Sequence, residues 1–125
     1  MALTRNFKET VATRVQGDPA FAKALLDDGM SPFGQWFKGL EGVAAAKVQV
    51  AVTRMEQGNL SNVVWFRSIG EFRIDWGPGL RIYFAKDGTR ILLLLGGGSK
   101  KRQQKDIDLA VERWDDYKRR KAAKG

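Results

Sequence analysis

The sequence predicts an α+β fold: a small twisted antiparallel sheet with a three-stranded meander as its core, a helical hairpin before it, a helix after it, and extra helices at the amino end. Three observations predict it. Between Glu71 and Leu95, three runs rich in aromatic and branched residues are separated by short Gly-containing turns. The flanking segments instead carry apolar residues at the three- and four-residue spacing of a helix face. A 43% hydrophobic share over 125 residues, with four Trp and seven Phe, is enough for one core and excludes a globally disordered chain.

At the amino end, Leu3, Phe7, Val11 and Val15 recur every four residues and predict a short helix. Asp18-Pro19 then reads as a cap with proline at the first helical position, and Phe21, Ala22, Leu25 and Leu26 supply the apolar face of a second helix. Gly29 to Pro32 reads as a break, which divides an N-terminal segment, 1–29, from a main domain, 30–125. A third helix starts at Pro32 and presents Phe33, Trp36, Phe37 and Leu40. The fourth, Val43 to Gln57, carries Ala44, Val48, Ala51, Val52 and Met55 as one stripe and ends at Gly58-Asn59. Asn62 to Ile69 is expected to be a loop or a weakly extended segment.

In the meander, the two-residue period puts Phe72, Ile74 and Trp76 on one face and Glu71, Arg73 and Asp75 on the other. Ile82 and Phe84 likewise oppose Arg81, Tyr83 and Ala85. Alignment of the apolar sets therefore brings Arg73, Arg81 and Tyr83 together. Ile91 to Leu95 is apolar on both sides, as expected of a central strand or one covered by a helix on its second face. Gly96-Gly97-Gly98 reads as a flexible turn into Ser99-Lys100-Lys101-Arg102, and a last helix follows with Ile107, Ala110, Val111, Trp114 and Tyr117 on its buried face.

Lys and Arg number 22 against 14 Asp and Glu, a net charge of +8, and from Gly96 onward there are ten basic and five acidic residues. Concentrated positive charge favours a polyanionic partner, nucleic acid first. With no Cys there is no thiolate chemistry or disulfide scaffold, and with no His the usual general base is missing. No stretch is long and apolar enough for a membrane span, so the expectation is a cytoplasmic protein with no membrane partner. Scattered carboxylates such as Asp75 and Asp87 suggest no metal cluster, and no cofactor is expected.

Three blocks carry a family resemblance: Phe33-x-x-Trp36-Phe37-x-x-Leu40, then Phe72-Arg73-Ile74-Asp75-x-Gly77-Pro78-Gly79-x-Arg81-Ile82-Tyr83-Phe84, then Leu94-Leu95-Gly96-Gly97-Gly98-Ser99-Lys100. Gln104-x-Asp106-Ile107 and Trp114-x-x-Tyr117 follow them. From about Ser31 to Arg120 the chain resembles the RelE/ParE superfamily of bacterial toxins, and within it the phage-derived HigB-like killer proteins of toxin–antitoxin modules. Members usually open with a β-strand directly before the Phe-x-x-Trp helix, and this sequence shows none in that place. Met1 to Asp28 instead resembles the beginning of the antidote proteins encoded beside such toxins.

The resemblance implies a toxin that cuts translated mRNA on the ribosome without a metal ion, with a cognate antitoxin, mRNA and the ribosome as partners. In that chemistry the 2′-hydroxyl attacks the neighbouring phosphodiester, and guanidinium groups neutralise the charge that grows on the phosphate oxygens. Arg73 and Arg81 are the first candidates for that role and Lys100 the next, with Lys100, Lys101, Arg102 and Lys105 as RNA contacts. Tyr83 could transfer a proton or stack a base. Each residue also has an ordinary structural reading: Arg73 paired with Glu71 or Asp75, Tyr83 packed in the sheet, Lys100 to Lys105 a solvated helix start, Asp106 and Asp108 dipole partners of the last helix. Some relatives use a late His or Tyr, but here Tyr117 falls on a buried helix stripe. The competing functions are a catalytically defective toxin that binds antitoxin or RNA, and a ParE-like inhibitor of DNA gyrase.

Overall fold

The computed structural model describes residues 21–26 and 30–124. Along the chain it contains β1 (Phe21–Ala24), α1 (Pro32–Lys38), α2 (Gly42–Glu56), β2 (Val63–Phe66), β3 (Ile69–Ile74), β4 (Leu80–Asp87), β5 (Ile91–Ser99), a 3₁₀ turn (Lys100–Arg102) and α3 (Gln103–Lys124). The class is α+β, as expected. The sheet, however, has five strands in the order β1-β5-β4-β3-β2 and is mixed, not a three-stranded antiparallel core.

The three expected strands are β3, β4 and β5, paired antiparallel in sequence order. Gly77, Gly79 and Gly88, with φ of 55°, 76° and 73°, supply the positive φ of the two reversals. β2 extends the meander by pairing antiparallel with β3 through a turn at Arg67-Ser68, in which Arg67 itself takes a φ of 54°. The segment read as a loop or a weakly extended stretch therefore takes the extended form, as an edge strand.

The larger correction concerns β1. Phe21 to Ala24, expected to be helical, forms a strand parallel to β5, with Phe21 opposite Ile91 and Ala24 opposite Leu94. The backbone explains the choice: Phe21 N donates to Arg90 O at 2.7 Å, Leu25 N to Leu94 O at 2.9 Å, and Ala22 N to Glu56 Oε2 at 3.1 Å. Ala22 enters the core on one sheet face and Leu25 the core on the other, so the residues that suggested one helix stripe are divided between two layers. A place beside an apolar strand outweighs a short local pattern. The stripe of Leu3, Phe7, Val11 and Val15 lies outside the described residues.

Helices cover both faces. On one, Phe33 of α1 and Ala44, Val48, Ala51, Val52 and Met55 of α2 pack on Phe72, Leu80, Ile82, Phe84, Leu92 and Leu94. Ser31 caps α1, its Oγ accepting from Gly34 N at 2.9 Å, with Pro32 at the first helical position. On the other, Ile107, Ala110, Val111 and Trp114 of α3 pack on Ile69, Tyr83, Ala85, Leu93 and Leu95. β5 is thus apolar on both sides because both sides are covered.

The three glycines do not form a turn; Gly96, Gly97 and Gly98 belong to β5, opposite Tyr83, Ile82 and Arg81. Side chains are missing there because other groups take the space. A Cβ on Gly97 would overlap the Trp36 ring, and one on Gly98 the Asp106 carboxylate. Both helix layers therefore close onto bare backbone at this end of the sheet.

At the far end of α3, Tyr117 Oη donates to Asp87 Oδ2 at 2.5 Å and Lys121 Nζ to Asp87 Oδ1 at 2.6 Å, pinning the helix to the β4–β5 hairpin. These hydrogen bonds, Lys121's first, hold the Asp87 carboxyl below its ordinary pKa of 3.8. A lowered folded-state value stabilises the fold above the ordinary pKa, and that contribution is lost as pH falls through the folded value. Asp87→Asn is therefore expected to flatten part of the acid limb below about pH 4 in a curve of unfolding midpoint against pH. An unchanged difference between the two proteins from pH 6 to pH 2 would contradict the assignment.

Candidate functional site

The face that carries Arg73, Arg81 and Tyr83 is organised by a buried carboxylate. Arg73 and Arg81 sit directly opposite each other on β3 and β4, a like-charge pairing that costs stability unless it is compensated. Glu71, fully buried two residues before Arg73, compensates it. Its Oε1 lies 2.7 Å from Arg73 Nε, and its Oε2 accepts from Tyr83 Oη at 2.9 Å. Gln103 Nε2, from the first turn of α3, donates to both oxygens at 3.2 and 3.1 Å. Arg81 Nε stands 3.5 Å from Oε2, an ion pair without a hydrogen bond, while its Nη1 donates to Gly79 O at 2.8 Å.

The structure thus brings Arg73, Arg81 and Tyr83 together as the strand period predicts, but not as one exposed surface. Tyr83 is 1% exposed and Arg81 7%. Burial pushes the Tyr83 phenol far up, and its hydrogen bond to the Glu71 carboxylate acts in the same direction, so the group stays protonated. The Arg73 side chain remains 43% exposed and is paired with Glu71, one of the two acids the sequence offered it. Lys100, Lys101 and Arg102 form the exposed 3₁₀ turn that leads from β5 into α3, and Lys105 is exposed one turn further on. Lys100 N bonds Pro78 O at 3.4 Å, which sets this turn against the β3–β4 reversal. Arg73 is linked to the same end of α3 through Glu71 and Gln103. The outcome is a ridge of exposed cations over a buried, neutralised support.

Three residues beside this ridge were missed as site residues. Asp106 lies in the first turn of α3 against Gly98, and among the described residues no side-chain hydrogen bond holds its carboxyl. Burial pushes that carboxyl up, against the pull of Arg102, Arg113 and Lys105. Arg113 reaches back to donate to Leu95 O at 2.9 Å. Gln103 falls within the Lys100 to Lys105 stretch, which by sequence is a solvated helix start. The signal for all three is their place on one face of α3, one turn and then two turns apart, which acquires meaning only once α3 is known to lie across β5.

Two open grooves flank the ridge. One, of about 780 Å³, runs between α1 and α3 across Gly96 and Gly97. The other, of about 660 Å³, lies between α2 and β3; it is floored by Val43, Val50, Phe72 and Ile74 and bordered by Lys47, Arg54, Arg73 and Asp75. Among the described residues no group of three His, Cys, Asp or Glu side chains converges on one point, and no helix is long and apolar enough to cross a membrane. Comparison with protein-family models, curated proteins and solved structures gives no match.

Proposed function

We propose that the chain is the toxin of a bacterial type II toxin–antitoxin pair, of the RelE/HigB-like kind, and acts as a ribosome-dependent endonuclease on translated mRNA. The observation that carries this reading is the exposed ridge of Arg73, Lys100, Lys101, Arg102 and Lys105, set at one end of the sheet over the Glu71 support. Such a ridge suits a phosphate backbone, since guanidinium and ammonium groups remain charged and replace the counterions of the strand. The strand β1 adds support, because it supplies ahead of the Phe33-x-x-Trp36 helix the element whose absence set the sequence apart from that family.

Within this function the residues divide into two sets. Arg73 and Lys100 face the strand and hold its phosphate backbone. Arg81 and Tyr83 hold Glu71, which fixes Arg73 through Nε, and so they are positioning residues. Tyr83 is too buried to move a proton to or from RNA. That burial favours a second reading, in which the protein grips RNA or antitoxin without cutting. The antitoxin is assigned to the groove beside α2, whose apolar floor and border of three cations against one acid, Asp75, match an acidic amphipathic helix.

Inducible expression in bacteria tests the reading. The wild-type chain is expected to arrest growth, and a Lys100→Ala, Lys101→Ala, Arg102→Ala triple variant to relieve the arrest while each substitution changes the free energy of unfolding by no more than about 0.5 kcal/mol, as for surface positions. Growth unaffected by the folded wild-type chain would contradict it.

A further inference from the structure

β1 pairs with β5 only from Ile91 to Leu94, and beyond its reach the glycine stretch of β5 runs between α1 and α3 as the floor of the 780 Å³ groove. Its lining combines groups that differ in chemistry. Trp36 supplies an aromatic surface, Arg102 and Arg113 two guanidiniums, and Asp106 a carboxylate. Arg113 is tethered to Leu95 O, and the Asp106 carboxyl packs against Gly98 without a side-chain hydrogen bond among the described residues.

The carboxylate decides what such a groove accepts. Two arginines and an indole would take phosphate and base of any single strand. An acid among them repels a phosphate or an acidic peptide unless the ligand brings a neutral donor to it. A ribose 2′-hydroxyl is such a donor, and it lies next to the phosphate. We infer that this groove is a ribonucleotide subsite, in which Asp106 accepts a hydrogen bond from the 2′-hydroxyl, Arg102 and Arg113 take the adjacent phosphate and Trp36 stacks on the base. The inference rests on the RNA reading above and deepens it by naming a proton-transfer group in place of the buried Tyr83.

In cleavage the same contact carries the proton. The 2′-oxygen forms its bond to phosphorus as the bond from phosphorus to the 5′-oxygen breaks. The 2′-hydroxyl proton passes to Asp106, and the departing 5′-oxygen takes a proton from water; the resulting hydroxide then removes the proton from Asp106. The groups that face Asp106 are Arg102 and Lys105 before α3 and in its first turn, Arg113 two turns on, and Tyr83 from the sheet. Burial makes Asp106 a stronger base than an ordinary aspartate.

The test is fluorescence anisotropy with a short labelled oligouridylate and its 2′-deoxy counterpart, followed by cleavage of a ribosome-bound mRNA. Wild type is expected to prefer RNA by about tenfold, the value of one hydrogen bond to a charged group. Asp106→Ala should bring the ratio near one by losing RNA affinity, without losing affinity for the deoxy strand. Asp106→Asn, which keeps an acceptor, should retain the preference and lose cleavage. Arg102→Ala should weaken both strands alike and reduce the salt dependence. An unchanged RNA-to-DNA ratio in Asp106→Ala, with both strands still bound, overturns the subsite and leaves the RNA reading standing. Binding of neither strand by folded wild type overturns both.

Discussion

Replacing Glu71 by Ala is expected to destabilise the fold by about 3–5 kcal/mol, the cost of breaking a buried ion pair from one side. The substitution leaves Arg81, 7% exposed, without its counter-charge directly opposite Arg73, and strips the Tyr83 hydroxyl and the Gln103 amide of their shared acceptor. Tyr83→Phe removes one donor and leaves the carboxylate with Arg73, Arg81 and Gln103. Its cost should be smaller, about 1.5–3 kcal/mol for a hydrogen bond to a charged group. Urea unfolding of the three proteins measures the order. A Glu71→Ala variant within about 1 kcal/mol of wild type would mean that the carboxylate is not the support described.

Gly97→Val should rank beside it. The Trp36 ring occupies the space of a Cβ on Gly97, and both atoms belong to elements fixed by the core, Trp36 on a helix anchored by Phe33 and Gly97 on β5. Neither can withdraw without opening the packing, so about 3 kcal/mol, the upper end of ordinary overpacking, is expected. A second substitution, Trp36→Ala, removes the obstruction, and the pair should be less destabilised than the two single changes combined. Strict additivity in the double-mutant cycle would show that the ring does not lie on the strand.

The parts of this fold legible in the sequence are those in which local signals agree. The β3–β4–β5 meander announces itself through Asp87-Gly88, Gly77-Pro78-Gly79 and a clean two-residue period, and α3 through Ile107, Ala110, Val111 and Trp114. β2 is marked only weakly, as a loop or an extended segment, because its hairpin turns on Arg67-Ser68 and has no glycine or asparagine to mark it; Arg67 accepts a positive φ instead. β1 was missed because four residues hold too little pattern, and its pairing partner lies some seventy positions away. The glycine triplet reads as a flexible turn because a strand of bare backbone carries no side-chain pattern of its own, and only the fold shows Trp36 and Asp106 covering it.

For the site, the strand period placed Arg73, Arg81 and Tyr83 on one face, and Glu71 with them. Burial was beyond it. Alternation distinguishes two faces of a sheet and does not reveal that α3 covers the second, which turns Tyr83 and Arg81 from candidates for chemistry into a scaffold for Arg73. By sequence Asp106 is only a dipole partner for the same reason, since its approach to Gly98 depends on how α3 crosses β5.

The most direct measurement is a reconstituted translation reaction with the purified chain, in which the 5′ ends of a defined mRNA are mapped with and without ribosomes. The account predicts new ends within the translated region that require ribosomes, are sharply reduced by Arg73→Ala or by the Lys100–Arg102 triple substitution, and persist in Tyr83→Phe. An mRNA left intact by saturating, folded protein, or cleavage indifferent to those cations, would contradict it.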